Sequence, residues 1–212
     1  MDVRMFTVGP VAENTYIFRR EGSDRALIVD PGDEADKLLS AIKELGVTLD
    51  GILLTHTHFD HVGAVAPVAK ATGAEVWVPE IEKFVLDDIN KFVPWPDFGP
   101  FESYDAEHTL QGGERLELAG FQIDVLFTPG HSPGHLSFSI PDEGAIFSGD
   151  VLFQQSIGRT DLPGGDHGTL LESIRMLIDT LPPETAVHPG HMGLTTLGAE
   201  RAGNPFLAEL AR

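Results

Sequence analysis

Three histidines and one aspartate fall within the six residues His56-Thr57-His58-Phe59-Asp60-His61, directly after the apolar run "GILL". Side chains two apart at a strand end point to the same side, so His56 and His58 can address one centre. Asp60 and His61 follow once the chain has begun to turn, and can address a neighbouring one. Imidazole nitrogen and carboxylate oxygen are ligands for zinc, iron and manganese alike. The chain has no cysteine, so any metal must be held by nitrogen and oxygen, and thiolate chemistry is excluded.

Three later segments end apolar runs in the same way. "FTPGHSPGH" carries His131 and His135, "AIFSGDVLF" carries Asp150, and "AVHPGHM" carries His188 and His191. Each places a histidine or aspartate on a glycine-containing turn after a strand-like stretch. Strand ends gathered on one sheet edge aim ligands into a shared cleft from rigid elements.

The elements that must position these residues are readable from periodicity. Strands are expected at 3–8, 14–20 and 25–30, then a helix over 33–46 with acids in its first turn and Gly46 at its end. "GILLT" is a buried strand delivering the cluster. A helix over 61–73, a strand at 74–79 and a helical stretch over 80–90 follow. Residues 92–106, rich in proline and aromatics, read as a loop whose Phe92, Trp95, Phe98 and Tyr104 are candidate apolar walls of a pocket. Strands at 114–120, 121–130, 135–141 and 144–150, a helix over 167–180 and a strand at 185–190 complete the pattern. Two similar halves of strands and helices, with no linker or repeat, predict one α/β domain over residues 1–212, its two sheets packed face to face between helical layers.

The segments "HTHFDH", His131 in "PGHSPGH", Asp150 in "SGD" and His191 in "PGHM" resemble, in order and over nearly the whole chain, the metallo-beta-lactamase superfamily. The resemblance implies an αββα four-layer sandwich with a two-metal site at one edge of the β-sandwich. It assigns His56, His58 and His131 to one metal and Asp60, His61 and His191 to the second, with Asp150 bridging, and makes Asp60 and Asp150 the candidate catalytic carboxylates. Two divalent ions are implied, zinc first, with iron or manganese as alternatives. Such ions hold water as hydroxide near neutral pH, so no side-chain nucleophile is required.

"SIGRTDLPGGD" and "GLTTLGAERAGNPFL" are similar to the short bacterial members of the glyoxalase II group. That similarity implies hydrolysis of S-2-hydroxyacylglutathione thioesters such as S-lactoylglutathione, with Arg159 a candidate substrate-binding residue. An ion pair of Arg159 with Asp161 is the competing reading. The few residues after His191 leave no counterpart of the helical domain with which full-length glyoxalase II contacts glutathione. Related readings are a persulfide dioxygenase using one iron on His56, His131 and Asp150, and a lactone or β-lactam hydrolase using the same site.

Composition narrows the partners. A net charge of -19 opposes nucleic acid and anionic membrane, leaving a small-molecule acyl-thioester as the expected partner. No apolar stretch approaches the ~18 residues of a membrane span, and the first residues lack a signal or transit pattern, so a cytoplasmic location is expected. Of the histidines outside the motifs, His135 and His188 are expected to support ligands or turns, and His108 and His167 to be ordinary. Accordingly, His167→Ala is expected to retain wild-type thioester hydrolysis, and a hundredfold loss of kcat/KM would show that this histidine takes part.

Overall fold

The computed structural model describes residues 1–95 and 97–208. Two compact units emerge, Met1–Leu110 with Glu117–Phe121, and Gln111–Leu116 with the chain from Gln122 onward. The first unit contains β1 (Asp2–Val8), β2 (Glu13–Arg19), β3 (Arg25–Val29), α1 (Ala35–Leu45), β4 (Thr48–Leu53), α2 (Phe59–Val62), α3 (Val65–Thr72), β5 (Val76–Pro79), α4 (Lys83–Asp87) and β6 (His108–Leu110). These strands form a six-stranded sheet in sequence order, antiparallel from β1 to β3 and parallel from β3 to β6. Parallel strands need both faces covered, which explains why β3, β5 and the end of β4 are apolar runs rather than alternating ones.

Helix α1 buries Leu38, Ala41 and Ile42, one apolar stripe at helical spacing, and ends at Gly46, whose left-handed φ of 64° lets its N–H reach the last carbonyls. That stripe packs with Val65 and Val68 of α3 and with Ile28, Ile52 and Val76 of the strands in one core. Each such fully buried aliphatic side chain contributes about 1.5–3 kcal/mol of transfer free energy.

The second unit contains the greater part of a six-stranded sheet ordered β14-β13-β10-β9-β8-β7. Its elements are β7 (Arg115–Leu118), β8 (Phe121–Phe127), β9 (Leu136–Ile140), β10 (Ala145–Gly149), the short ribbon β11 (Leu152–Phe153) and β12 (Ser156–Ile157), α5 (His167–Thr180), β13 (Ala186–Pro189), β14 (Thr195–Thr196) and α6 (Leu197–Gly203). Strand β9 is antiparallel to both β8 and β10, and β13 is parallel to β10, so β8, β10 and β13 run in the same sense. The Asp166 carboxylate caps α5 by accepting the Thr169 N–H at 2.7 Å, and Leu170, Ile174 and Leu177 of that helix pack with Ile146 and Val187 of the sheet.

Both sheets are mixed and carry helices, as the α/β reading expects. Three local expectations change. The helix expected over 61–73 is two helices, because the Ala64 N–H donates to the Pro31 carbonyl at 3.0 Å and leaves the helical ladder. The helical stretch over 80–90 is broken at Asp88, whose φ of -148° is extended. In the 92–106 loop, Phe98 and Tyr104 pack on the first unit's core and Tyr104 also borders a cavity with Asp87 and Ser103, while Phe92 and Trp95 are exposed.

His188 lies in β13, buried, with its ring stacked on Phe147 at 4.9 Å between centroids. Burial lowers its pKa from 6.5 to about 4. The unfolded chain therefore binds a proton that the folded chain refuses between those values, so this group costs stability as pH falls from 6.5 to 4, by roughly 3 kcal/mol in total. Thermal or urea unfolding of His188→Leu across that range is expected to show a shallower acid decline than wild type. Identical slopes would show that His188 does not cause it.

Candidate metal centre

In the first unit the ligand-rich segment leaves the C-terminal end of β4, a strand whose parallel neighbours β3 and β5 end on the same side. Asp30, directly after β3, organises it. Its Oδ1 accepts the Thr55 N–H at 2.7 Å, while Oδ2 accepts the Thr55 hydroxyl at 2.6 Å and lies 2.9 Å from His61 Nδ1. Asp30 adopts a φ of 48°, a left-handed conformation that aspartate tolerates better than most side chains.

These bonds set the imidazole tautomers. The Thr55 hydroxyl spends its proton on Asp30, so towards His56 Nδ1, 3.0 Å away, it can only accept. His56 therefore carries its proton on Nδ1 and presents a lone pair at Nε2. That Nε2 stands 3.1 Å from His58 Nδ1, a separation at which two nitrogens share one proton or one cation. His61 likewise donates from Nδ1 to Asp30, so Nε2, 3.8 Å from Asp60 Oδ2, is the nitrogen that could ligate a cation. His56 and His61 are buried, and His58 and Asp60 are partly exposed.

Close backbone packing holds the turn that carries Asp60. A Cβ added to Gly32 would lie 1.7 Å from the Asp60 carbonyl oxygen, so only glycine lets the "DPG" turn approach the start of α2. Beneath His61 lies the fully buried Glu13, whose Oε1 is 3.8 Å from the ring. Desolvation drives the Glu13 carboxyl well above the usual carboxylate range, and the neighbouring His61 opposes that rise.

The second unit supplies His131 after β8, Asp150 after β10 and His191 after β13, all leaving the same end of the sheet because those strands share one sense. His131 Nδ1 lies 2.7 Å from the Arg159 carbonyl, which only accepts, so His131 is protonated there and faces Asp150 with its Nε2 lone pair. Asp150 Oδ2 lies 3.5 Å from His131 Nε2 and 3.5 Å from His191 Nε2. A carboxylate oxygen set between two imidazole nitrogens, at least one of them a lone pair, is a donor set that fits a cation.

His135 holds this set in place, with Nε2 accepting the Asp150 N–H at 3.1 Å and Nδ1 3.0 Å from the Thr128 hydroxyl. Its supporting role is as expected. A Cβ at Gly158 would come within 1.8 Å of the Asp150 carbonyl, which fixes that turn as Gly32 fixes the other. Arg159 grips Asp161 through two bonds of 2.7 and 2.8 Å, and this pairing pulls the Asp161 carboxyl down to about 2. Any substrate contact by this guanidinium requires it to leave Asp161. His108 and His167 stand apart, the first paired with Glu75 on β6 and stacked on Trp77, the second opening α5.

Sequence reasoning missed Asp30. The signal was the acid closing the strand "RALIVD" before "PG", a position where a side-chain carboxylate can serve neighbouring strand ends. Asp30→Asn puts an amide N–H against the Thr55 hydroxyl or the His61 N–H. A 10- to 100-fold loss of zinc affinity with retained fold is therefore expected by chelator competition, and unchanged affinity would show that Asp30 does not orient the ligands.

Among known proteins, the family described as "Metallo-beta-lactamase superfamily" matches residues 8–191. The chain is 40% identical over 220 aligned positions to "Hydroxyacylglutathione hydrolase GloC" of Haemophilus influenzae, covering 98% of each. A crystal structure of the BLEG-1 B3 metallo-beta-lactamase superposes with a TM-score of 0.92 at 41% identity, covering 98% of this chain and 100% of the other. TTHA1623 in a di-iron-bound form gives a TM-score of 0.80 at 42% identity, with 96% and 100% covered. Among the described residues no helix is long and apolar enough to cross a membrane. Family match, fold and donor chemistry agree: this chain belongs to the metallo-beta-lactamase superfamily and is a metal-dependent hydrolase.

Proposed function

We propose that the protein is a thioesterase of the glyoxalase II type that hydrolyses S-2-hydroxyacylglutathiones, S-lactoylglutathione being the first substrate to test. The observation that carries this reading is the 40% identity to the Haemophilus hydroxyacylglutathione hydrolase over 98% of both chains. Water and the thioester give the carboxylic acid and the free thiol. Thiolate is a good leaving group, so the site needs little acid assistance.

In this reading His56, His58 and His131 would hold one divalent ion and Asp60, His61 and His191 a second, with Asp150 available to both. Such ions acidify water and polarise a carbonyl oxygen. Zinc is the first choice, and the di-iron form of TTHA1623 favours testing iron beside it. The chain's own contribution is orientation. Asp30 and the Arg159 carbonyl hold His61 and His131 by Nδ1, which makes Nε2 the nitrogen that would ligate, and His135 holds the Asp150 backbone. In this reading Asp60, a partly exposed carboxylate, would take a proton from the attacking water and return one to the thiolate.

A second reading, β-lactam hydrolysis, is favoured by the likeness to BLEG-1. Both substrates present a carbonyl to the same nucleophile, and assays with S-lactoylglutathione and a chromogenic cephalosporin on one metal-loaded sample separate them. Thiol release that disappears on chelation and returns with metal is the expected result. Cephalosporin turnover without thiol release would replace the first reading with the second. Asp150→Ala is expected to lose both activity and at least one of two bound ions, read by metal analysis, and two ions retained per chain would contradict its shared role.

A further inference from the structure

The ligand segment reads Thr55-His56-Thr57-His58, and both threonines are gripped by a buried carboxylate. Asp30 holds Thr55 through its N–H and its hydroxyl. Glu82, far from the ligand motifs in sequence and only 4% exposed, does the same for Thr57: its Oε2 accepts the Thr57 N–H at 2.9 Å and the Thr57 hydroxyl at 3.0 Å. Thr57 is itself buried and lies between His56 and His58 in the chain. One carboxylate oxygen thus fixes both the peptide and the side chain of the residue that spaces two candidate ligands.

We propose that Glu82 is a positioning residue for the metal centre, acting through Thr57 to hold His56 and His58 at the spacing one ion needs. A buried carboxylate is costly unless hydrogen-bonded, and charge-assisted bonds from an amide and a hydroxyl are among the stronger ones available to it. Without Glu82, the Thr57 N–H and hydroxyl lose their acceptor in a buried place. The segment then has reason to shift, and a shift of Thr57 moves both flanking imidazoles. Glu82 belongs to the turn between β5 and α4. In α4, the ammonium of Lys83 bonds Asp87 and Asp105, so the outer helical layer of this unit is coupled to the ligand segment through adjacent residues.

The inference rests on His56 and His58 being metal ligands, and the test keeps the two apart. Zinc affinity of the whole chain is measured by competition with a chromophoric chelator, alongside the visible spectrum of the cobalt-loaded protein and the melting temperature of the metal-free protein. Glu82→Ala is expected to weaken zinc binding at least tenfold and alter the cobalt spectrum. Glu82→Gln, which keeps an oxygen where both bonds end, should stay within about fivefold of wild type.

Thr57→Val removes the hydroxyl bond and keeps the N–H bond. It is expected to cost several-fold alone and nothing further in the Glu82→Ala background. Should Glu82→Ala fail to fold, Thr57→Val and Glu82→Gln carry the test, the former weakened and the latter not. Wild-type zinc affinity in a folded Glu82→Ala or in Thr57→Val would overturn the proposal, as would Glu82→Gln losing as much as Glu82→Ala. A wild-type chain that binds no zinc or cobalt would instead remove the ligand assignment itself.

Discussion

The Asp30 carboxylate is the interaction on which the arrangement of the first unit's histidine segment depends. It lies at the end of β3, the strand next to β4 in the parallel part of the sheet, and engages the Thr55 N–H, the Thr55 hydroxyl and His61 Nδ1 at once. Each partner matters for a different reason. The N–H bond fixes the backbone from which His56 departs, the hydroxyl bond decides the His56 tautomer, and the His61 bond aims that ring. A side chain with two acceptor oxygens and no donor is required, because all three partners donate. The left-handed φ of Asp30 and the glycine at 32 follow from the same need, since the chain must turn sharply after Asp30 and pass within contact of the Asp60 carbonyl.

The acidity of the protein has a local counterpart here. Asp30 and Asp60 both act on Glu13 beside His61, and burial pushes Glu13 towards its neutral form. Carboxylates this close repel, and a protein tolerates them where protons or cations offset the repulsion. The Thr15 hydroxyl, 3.0 Å from Glu13 Oε2 and 2.8 Å from the Asp30 carbonyl, joins Glu13 and Asp30 into one buried network. In the second unit Asp150 meets imidazole nitrogens on two sides. Each unit therefore concentrates electron-pair donors of the kind that a cation-binding site uses.

Strand sense explains how distant residues become neighbours within each unit. His131, Asp150 and His191 span sixty positions, yet β8, β10 and β13 point the same way, and the Gly190 N–H bonds the Gly149 carbonyl where the last two strands end. The parallel pairing of β10 with β13 needs a crossover, and α5 provides it, buried along Leu170, Ile174 and Leu177.

Much of this was legible from residue types alone. The density of His and Asp in "HTHFDH", the glycine turns after apolar runs and the absence of cysteine determined a nitrogen and oxygen metal site carried on strand ends, in an α/β protein with two sheets. Those features are local, and local chemistry is written in order along the chain. The sequence also marked the aromatic loop, but pattern could not show that Phe98 and Tyr104 face the core while Trp95 stays exposed. The tertiary structure alone decided which side chains hold the ligands. Asp30 precedes Thr55 by twenty-five residues and Glu82 follows Thr57 by the same distance, so neither pairing has a period or motif to reveal it. Such contacts exist only once parallel strands and the turns after them have been brought together, because a buried hydrogen bond is chosen by proximity in space and by the cost of leaving its donor without a partner.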